Sequence, residues 1–283
     1  MIGRRRFLGG LTAAALSPWV MAQSAPRLSL QGAAVQGFPL FVAVVGEPTL
    51  SDLRVDWEGK EYALSWVEPA SAWRGVVPIG IDCPTRQKLC VKQAGQVLLE
   101  RELTVKARDY GTQYLSINPA TLASYDDPQN KADDQAILAS MKRLDDRQHW
   151  QGNFQLPCDA PETTGFGQRR LYNGWKKGWH KGLDLGGWEG QAVMAPAAGK
   201  VIHQARGIVN GNTLALSHGL GVFSVYFHLN DYAVVKGDQV EAGQSIASVG
   251  GTGGFAPHLH WEMRAFGRPV HPKAFLQLPA DWR

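Results

Sequence analysis

Pro257-His258-Leu259-His260-Trp261-Glu262 sets two histidines two residues apart. In an extended strand, residues i and i+2 face the same side, so both imidazoles can enter one cleft. One can then ligate a metal while the other stays close enough to move a proton, and the spacing does not say which does which. Outward from this stretch the apolar runs are short and strand-like: Ala192–Ala195, Lys200–His203, Thr213–Ser217, Phe223–His228 and Ser245–Val249. Gly, Pro or Asn bounds each of them, which reads as strands joined by tight turns. Glycine is concentrated here, with 21 of the 32 glycines in residues 151–283 and only 8 in residues 23–150. Residues 151–283 therefore read as an all-β unit. Gly250–Gly254 precedes Phe255-Ala256-Pro257 rather than a helix, so it reads as a backbone turn and not as an anion cradle.

Seven of the eight histidines fall in this unit. Beside the His-x-His pair, the informative pieces are His180-x-x-x-Asp184 and Tyr226-Phe227-His228. A catalytic zinc site needs neutral imidazoles, a carboxylate and one open position for water. His180, Asp184 and one histidine of the pair meet the first requirement. His228 and the remaining histidine of the pair are then available as a base and as a partner for the oxyanion that develops on an attacked carbonyl.

The ordered blocks of residues 162–273 resemble the lysostaphin-type zinc metallopeptidases, a family of peptidoglycan endopeptidases. They begin with Gly165-Phe166-Gly167-Gln168-Arg169 and His180-Lys181-Gly182-Leu183-Asp184-Leu185. They continue through Leu216-Ser217-His218-Gly219, Tyr226-Phe227-His228-Leu229 and Gly250-Gly251-Thr252-Gly253, and end at His258-Leu259-His260-Trp261-Glu262 and His271-Pro272. The resemblance implies one Zn2+ ion held by His180, Asp184 and His260, with His228 and His258 as catalytic histidines. It also implies a two-sheet β fold with an open groove for crosslinked peptide. Degenerate relatives that lose ligands act as amidase activators, whereas no ligand position is missing in this chain. His271-Pro272 departs from the usual asparagine-proline; it is expected to affect a turn and does not put zinc binding in doubt. Trp175, Trp179 and Trp188 surround the first metal motif, and with Tyr226 they are candidates for lining the substrate groove.

The rest of the chain sets the context. Its 283 residues are 44% apolar and 19% charged, so a folded protein with a sizeable core is expected. Residues 1–22 carry a basic start, an apolar run at Phe7–Leu16 and a small-residue site at Val20-Met21-Ala22, the layout of an export signal. Arg4-Arg5-Arg6-Phe7-Leu8 is similar to a twin-arginine signal. The net charge is +4, of which +3 comes from Arg4, Arg5 and Arg6, leaving about +1 after removal of the signal. That charge gives nucleic-acid binding no support. No other segment reaches 18 continuous apolar residues, so a periplasmic or secreted monomer without a stable membrane anchor is expected.

Residues 23–118 show alternating stretches at Phe38–Val45, Glu61–Val67, Val91–Leu99 and Glu102–Ala107, consistent with a small β-sandwich. Residues 119–150 form the linker, with a helix expected over 127–148 and Ile137, Met141 and Leu144 on its apolar face. The fold class is thus all-β: an N-terminal β-sandwich, a helix-containing linker and a two-sheet β metallopeptidase domain at 151–283. Cys83 and Cys90 are expected to form a local disulfide in an oxidising compartment, and Cys158 reads as an inert thiol. The function expected is zinc-dependent cleavage of peptide crosslinks in peptidoglycan. The alternatives are a catalytically quiet cell-wall-binding or amidase-activator module, an endopeptidase acting on other peptides, or an amidase acting on the sugar–peptide bond.

Overall fold

A computed structural model describes residues 25–46 and 48–283, and the expected export signal lies outside them. The first unit contains β1 (Arg27–Gln31), β2 (Pro39–Val45), β3 (Leu53–Trp57), β4 (Lys60–Ala63), β5 (Ser65–Val67), β6 (Ala72–Pro78), β7 (Arg86–Gln93) and β8 (Gln96–Thr104). These form two four-stranded sheets, β1-β2-β6-β5 and β4-β3-β7-β8. Their facing sides bury Leu40, Val42, Val44, Val55, Trp57, Leu89 and Val91, as the alternation requires of a sandwich. Two expected strands prove to be composite. Glu61–Val67 breaks at the buried Leu64, so β4 and β5 belong to opposite sheets. Val91–Leu99 is the β7–β8 hairpin, whose turn places Ala94 and Gly95 at φ +48° and +81°.

The linker carries β9 (Thr112–Leu115), α1 (Pro119–Ser124) and α2 (Pro128–Ser140). Asn118 and Asp127 cap the two helices by accepting from the N–H of Ala120 and Gln129. The helix ends well short of residue 148. Beyond it the backbone bonds to the second unit, with Leu220 N–H donating to Asp145 O and His149 N–H to His218 O. Tertiary pairing thus overrides helix propensity. Ile137 and Met141 pack on Phe223, Val225 and Phe227, whereas Leu144 is exposed.

The second unit comprises β10 (Glu162–Thr164), β11 (Arg169–Tyr172), β12 (Lys176–Trp179), β13 (Leu183–Leu185), β14 (Ala192–Met194), β15 (Gly199–Gly207), β16 (Gly211–Gly219), β17 (Val222–Tyr232), β18 (Gln239–Val240), β19 (Ser245–Val249), β20 (Leu259–Ala265) and β21 (Arg268–Val270). The large sheet runs β10-β13-β20-β17-β16-β15-β18, with β19 joined to β17 and β14 to β19. A second sheet, β12-β11-β9, takes its edge strand from the linker, and β9 runs parallel to β11. Phe41 and Val76 of the sandwich share a core with Phe275 and Trp282 of the second unit, and Glu58 pairs with Arg268 at 2.7 Å across the junction. Among the described residues no helix is long and apolar enough to cross a membrane.

Two expectations fail here. Cys83, Cys90 and Cys158 are all free. Cys90 lies within β7, between Asp56 of β3 and Glu100 of β8, so the chain leaving Cys83 is extended rather than folded back. Four strand steps from Arg86 to Cys90 cover about 13 Å, which opposes the close Cα approach a disulfide needs. Burial also pushes the Cys83 thiol up to about 12. Tyr226 is fully buried and so lines no groove. Its hydroxyl lies 2.7 Å from Ser224 Oγ, which lies 2.8 Å from His218 Nε2.

This buried chain makes stability depend on pH. Burial pushes the His218 imidazole down to about 4, while the same ring in the unfolded chain titrates near 6.5. Between those values the unfolded chain binds a proton that the folded chain refuses, so stability falls as pH drops from about 7 toward 4. Urea titrations at pH 7.5 and 5 should show this loss, and His218→Gln should make the loss smaller.

Candidate metal centre

The site forms where β13 meets β20. Their register pairs Asp184 with His260, and β20 in turn pairs His260 with Phe227 of β17. Gly182 permits the approach, because a Cβ there would collide with the Trp261 carbonyl. His180 stands just before β13, its backbone bonded to Gln168 and Gly167 just ahead of β11. The ligand atoms of His180, Asp184 and His260 all lie within 4.8 Å of one another. His180 Nε2 is 2.9 Å from Asp184 Oδ1, His260 Nδ1 is 2.7 Å from the same oxygen, and the two nitrogens are 2.9 Å apart.

Both rings are oriented from behind. His180 Nδ1–H donates to Gly165 O at 2.7 Å, which leaves Nε2 facing Asp184. His260 Nε2–H donates to Glu262 Oε1 at 3.2 Å, which leaves Nδ1 facing Asp184. Arg264 holds the buried Glu262 at 2.6 Å. A ligating histidine characteristically gives its second N–H to a carbonyl or carboxylate, and both rings here do so. Two imidazole nitrogens and one carboxylate oxygen, converging and mostly buried, are a donor set that fits zinc.

The charges agree with that fit. Burial opposes ionisation of Asp184, but His180 and His260 outweigh it and hold the carboxyl well below the usual carboxylate range. Burial likewise opposes charge on His260, yet Asp184 and Glu262 push it up to about 9. A cation ligated here would displace the His260 proton, because a metal-bound imidazole is neutral, and would take over that proton's pairing with Asp184.

Beside this cluster stand His228 and His258, with ring centroids 4.8 Å apart. His258 Nε2 lies 3.9 Å from Asp184 Oδ1. His228 reaches the site through a backbone irregularity. Simple alternation after Phe227 would turn it away, but its φ of +61° and a register shift between β16 and β17 turn the ring back toward His258 and Phe255. The Gly250–Gly254 turn secures it: Thr252 O accepts from His228 Nδ1–H at 3.0 Å, and Thr252 Oγ1 donates to Leu229 O. Gly253 allows this, since a Cβ would strike the Val209 carbonyl. His258 Nδ1–H donates to Ala256 O at 2.8 Å. Each of the two rings is thus left with Nε2 unbonded by a backbone carbonyl. Burial, then the charges of His260 and His258, push His228 down to about 3 and keep it neutral.

All five histidine and aspartate positions singled out in the sequence therefore come together. The aromatic candidates divide. Trp175 and Trp188 stand on loops, 65% and 68% exposed. Trp179 instead packs edge-on against Phe166 at 5.6 Å. His271 caps the turn that follows it by accepting from Lys273 N–H. Glu262, Arg264 and Arg170 join the site without being marked by the sequence motifs. The i, i+2, i+4 pattern of His260, Glu262 and Arg264 was a usable signal for the first two, whereas nothing local marked Arg170.

With this geometry in hand, residues 178–272 match the family model described as Peptidase family M23. The second unit is thus similar to M23-family metallopeptidase domains. The Murein hydrolase activator NlpD of Salmonella dublin is 36% identical over 124 residues, which are 44% of this chain and 31% of that protein. An uncharacterized metalloprotease of Haemophilus influenzae is 42% identical over 97 residues, 33% of this chain and 20% of that protein. The chain thus spans about a third or less of the length of these curated relatives. A crystal structure of a candidate peptidase M23 from Pseudomonas aeruginosa aligns with a TM-score of 0.65 at 27% identity, over 87% of this chain and 96% of that one. That likeness extends across both units.

Removing a ligand or its support should be visible in metal binding. Direct zinc titration of the full chain should show one tight site, which Asp184→Asn abolishes. Glu262→Gln should weaken the site about tenfold with the fold retained by circular dichroism.

Proposed function

We propose that this chain is a zinc-dependent endopeptidase, of the lysostaphin type, that hydrolyses peptide crosslinks in bacterial peptidoglycan. The observation that carries the reading is the convergence of His180, Asp184 and His260 next to the His228–His258 pair. A structural metal site needs no such pair of rings beside it. His180, Asp184 and His260 would hold the ion, and a zinc ion supplies Lewis-acid activation of water and of the scissile carbonyl. The Nε2 atoms of His228 and His258 take up a proton from the attacking water and return it to the departing amine. Burial keeps the His228 ring neutral with Nε2 unprotonated, and at the same time makes it a weak base. Exposed Trp175 and Trp188 would contact the substrate. The peptidoglycan assignment draws on the named murein hydrolase activators among the relatives. Export to the periplasm draws on the residue 1–22 pattern.

A second reading has its own support. The likeness to proteins named murein hydrolase activators favours a module that stimulates a separate cell-wall hydrolase rather than cutting the wall itself. Such a module has no use for two proton-carrying histidines, and this is why the enzyme reading is preferred.

Purified sacculi separate the two. The wild-type chain with zinc should release uncrosslinked muropeptides, identified by mass, without any added protein. His228→Ala and His258→Ala should each lower the rate at least about 100-fold while zinc stays bound. Release only on addition of an amidase would establish the activator reading instead.

A further inference from the structure

The carboxylate of Asp184 has two oxygens, and only Oδ1 faces the histidines. Oδ2 accepts from Arg170 Nη2 at 3.2 Å. The same guanidinium is held from its other side, with Nε donating to Gln113 Oε1 at 3.0 Å. Gln113 belongs to β9, the strand that the linker adds alongside β11, and the parallel register sets Gln113 opposite Arg170. A second contact ties the linker to the same face: Tyr125, just after α1, packs against Tyr172 with ring centroids 5.5 Å apart, and Asp126 pairs with Lys176 at 2.6 Å. The Arg170 side chain is only 18% exposed.

We propose that Arg170 is a positioning residue. Clamped by Gln113 of the linker, it fixes Asp184 Oδ2, keeps Oδ1 aimed at the ion, and so makes metal affinity depend on the strand contributed from outside the catalytic unit. This rests on the metal-site reading above. The sign of the effect distinguishes positioning from simple electrostatics. A guanidinium beside a cation site repels the cation, so on charge alone its removal would tighten binding. Loss of an outer partner that orients a ligand weakens binding instead.

The test is zinc affinity of the full-length protein, measured by competition with a chromophoric chelator. Arg170→Ala should bind zinc about tenfold more weakly, and Arg170→Lys should recover part of the loss. Gln113→Ala, a substitution at a half-buried strand-edge position, should weaken binding several-fold. The double variant should be no weaker than Arg170→Ala alone, because the two residues act in series. Arg169→Ala, which removes the same charge one residue away from an exposed side chain, should leave affinity unchanged. Unchanged or tighter binding in Arg170→Ala, or additive losses in the double variant, overturns the proposal while leaving the metal site intact. Absence of zinc binding in the wild-type chain overturns the metal-site reading and this proposal together.

Discussion

A single buried carboxylate, Asp184, organises the second unit. Its Oδ1 lies within 3 Å of two imidazoles and its Oδ2 is bonded to a guanidinium. An ionised carboxylate taken out of water is costly unless it is paired and fully hydrogen-bonded. The surrounding strands meet that demand. β13 delivers Asp184, β20 delivers His260 with Glu262 and Arg264 behind it, and β11 delivers Arg170. Removal of any one partner leaves charge without compensation, so the arrangement holds together as a unit.

The second organising feature is the backbone turn at His228. A non-glycine residue at positive φ is strained, by about 1 kcal/mol or more. Here it carries the ring from the side that alternation dictates to the side where His258 stands. The glycine-rich turn at 250–254 closes around it through Thr252. Those glycines account for part of the unusual glycine content: Gly250, Gly251 and Gly253 permit close backbone approach beside the site.

Much of this was legible in the residues. The His-x-His spacing predicted two rings in one cleft, and both rings stand beside Asp184. The short apolar runs of the second unit located its strands closely, as Ser245–Val249 shows. What escaped has a common cause, because it depends on partners distant in sequence. Gln113 lies 57 residues from Arg170, and nothing local distinguishes it from any other linker glutamine. The burial of Tyr226 follows from its register opposite Trp261, not from its neighbours in the chain. The Cys83–Cys90 spacing suggested a loop, but the hydrogen-bonding capacity of β3 and β8 drew Cys90 into a strand. The helix expected over 127–148 stops at Ser140, and farther on the backbone bonds to the end of β16 and the residue after it.

The central claim is that the three converging donors are a zinc site and that the adjacent pair of histidines works on what the ion activates. Crystals of the full chain grown with zinc, with data collected on both sides of the zinc absorption edge, test it most directly. The account predicts one anomalous peak bounded by His180 Nε2, Asp184 Oδ1 and His260 Nδ1, with the Nε2 atoms of His228 and His258 facing it. A peak elsewhere, or none between these three atoms at saturating zinc, would contradict it.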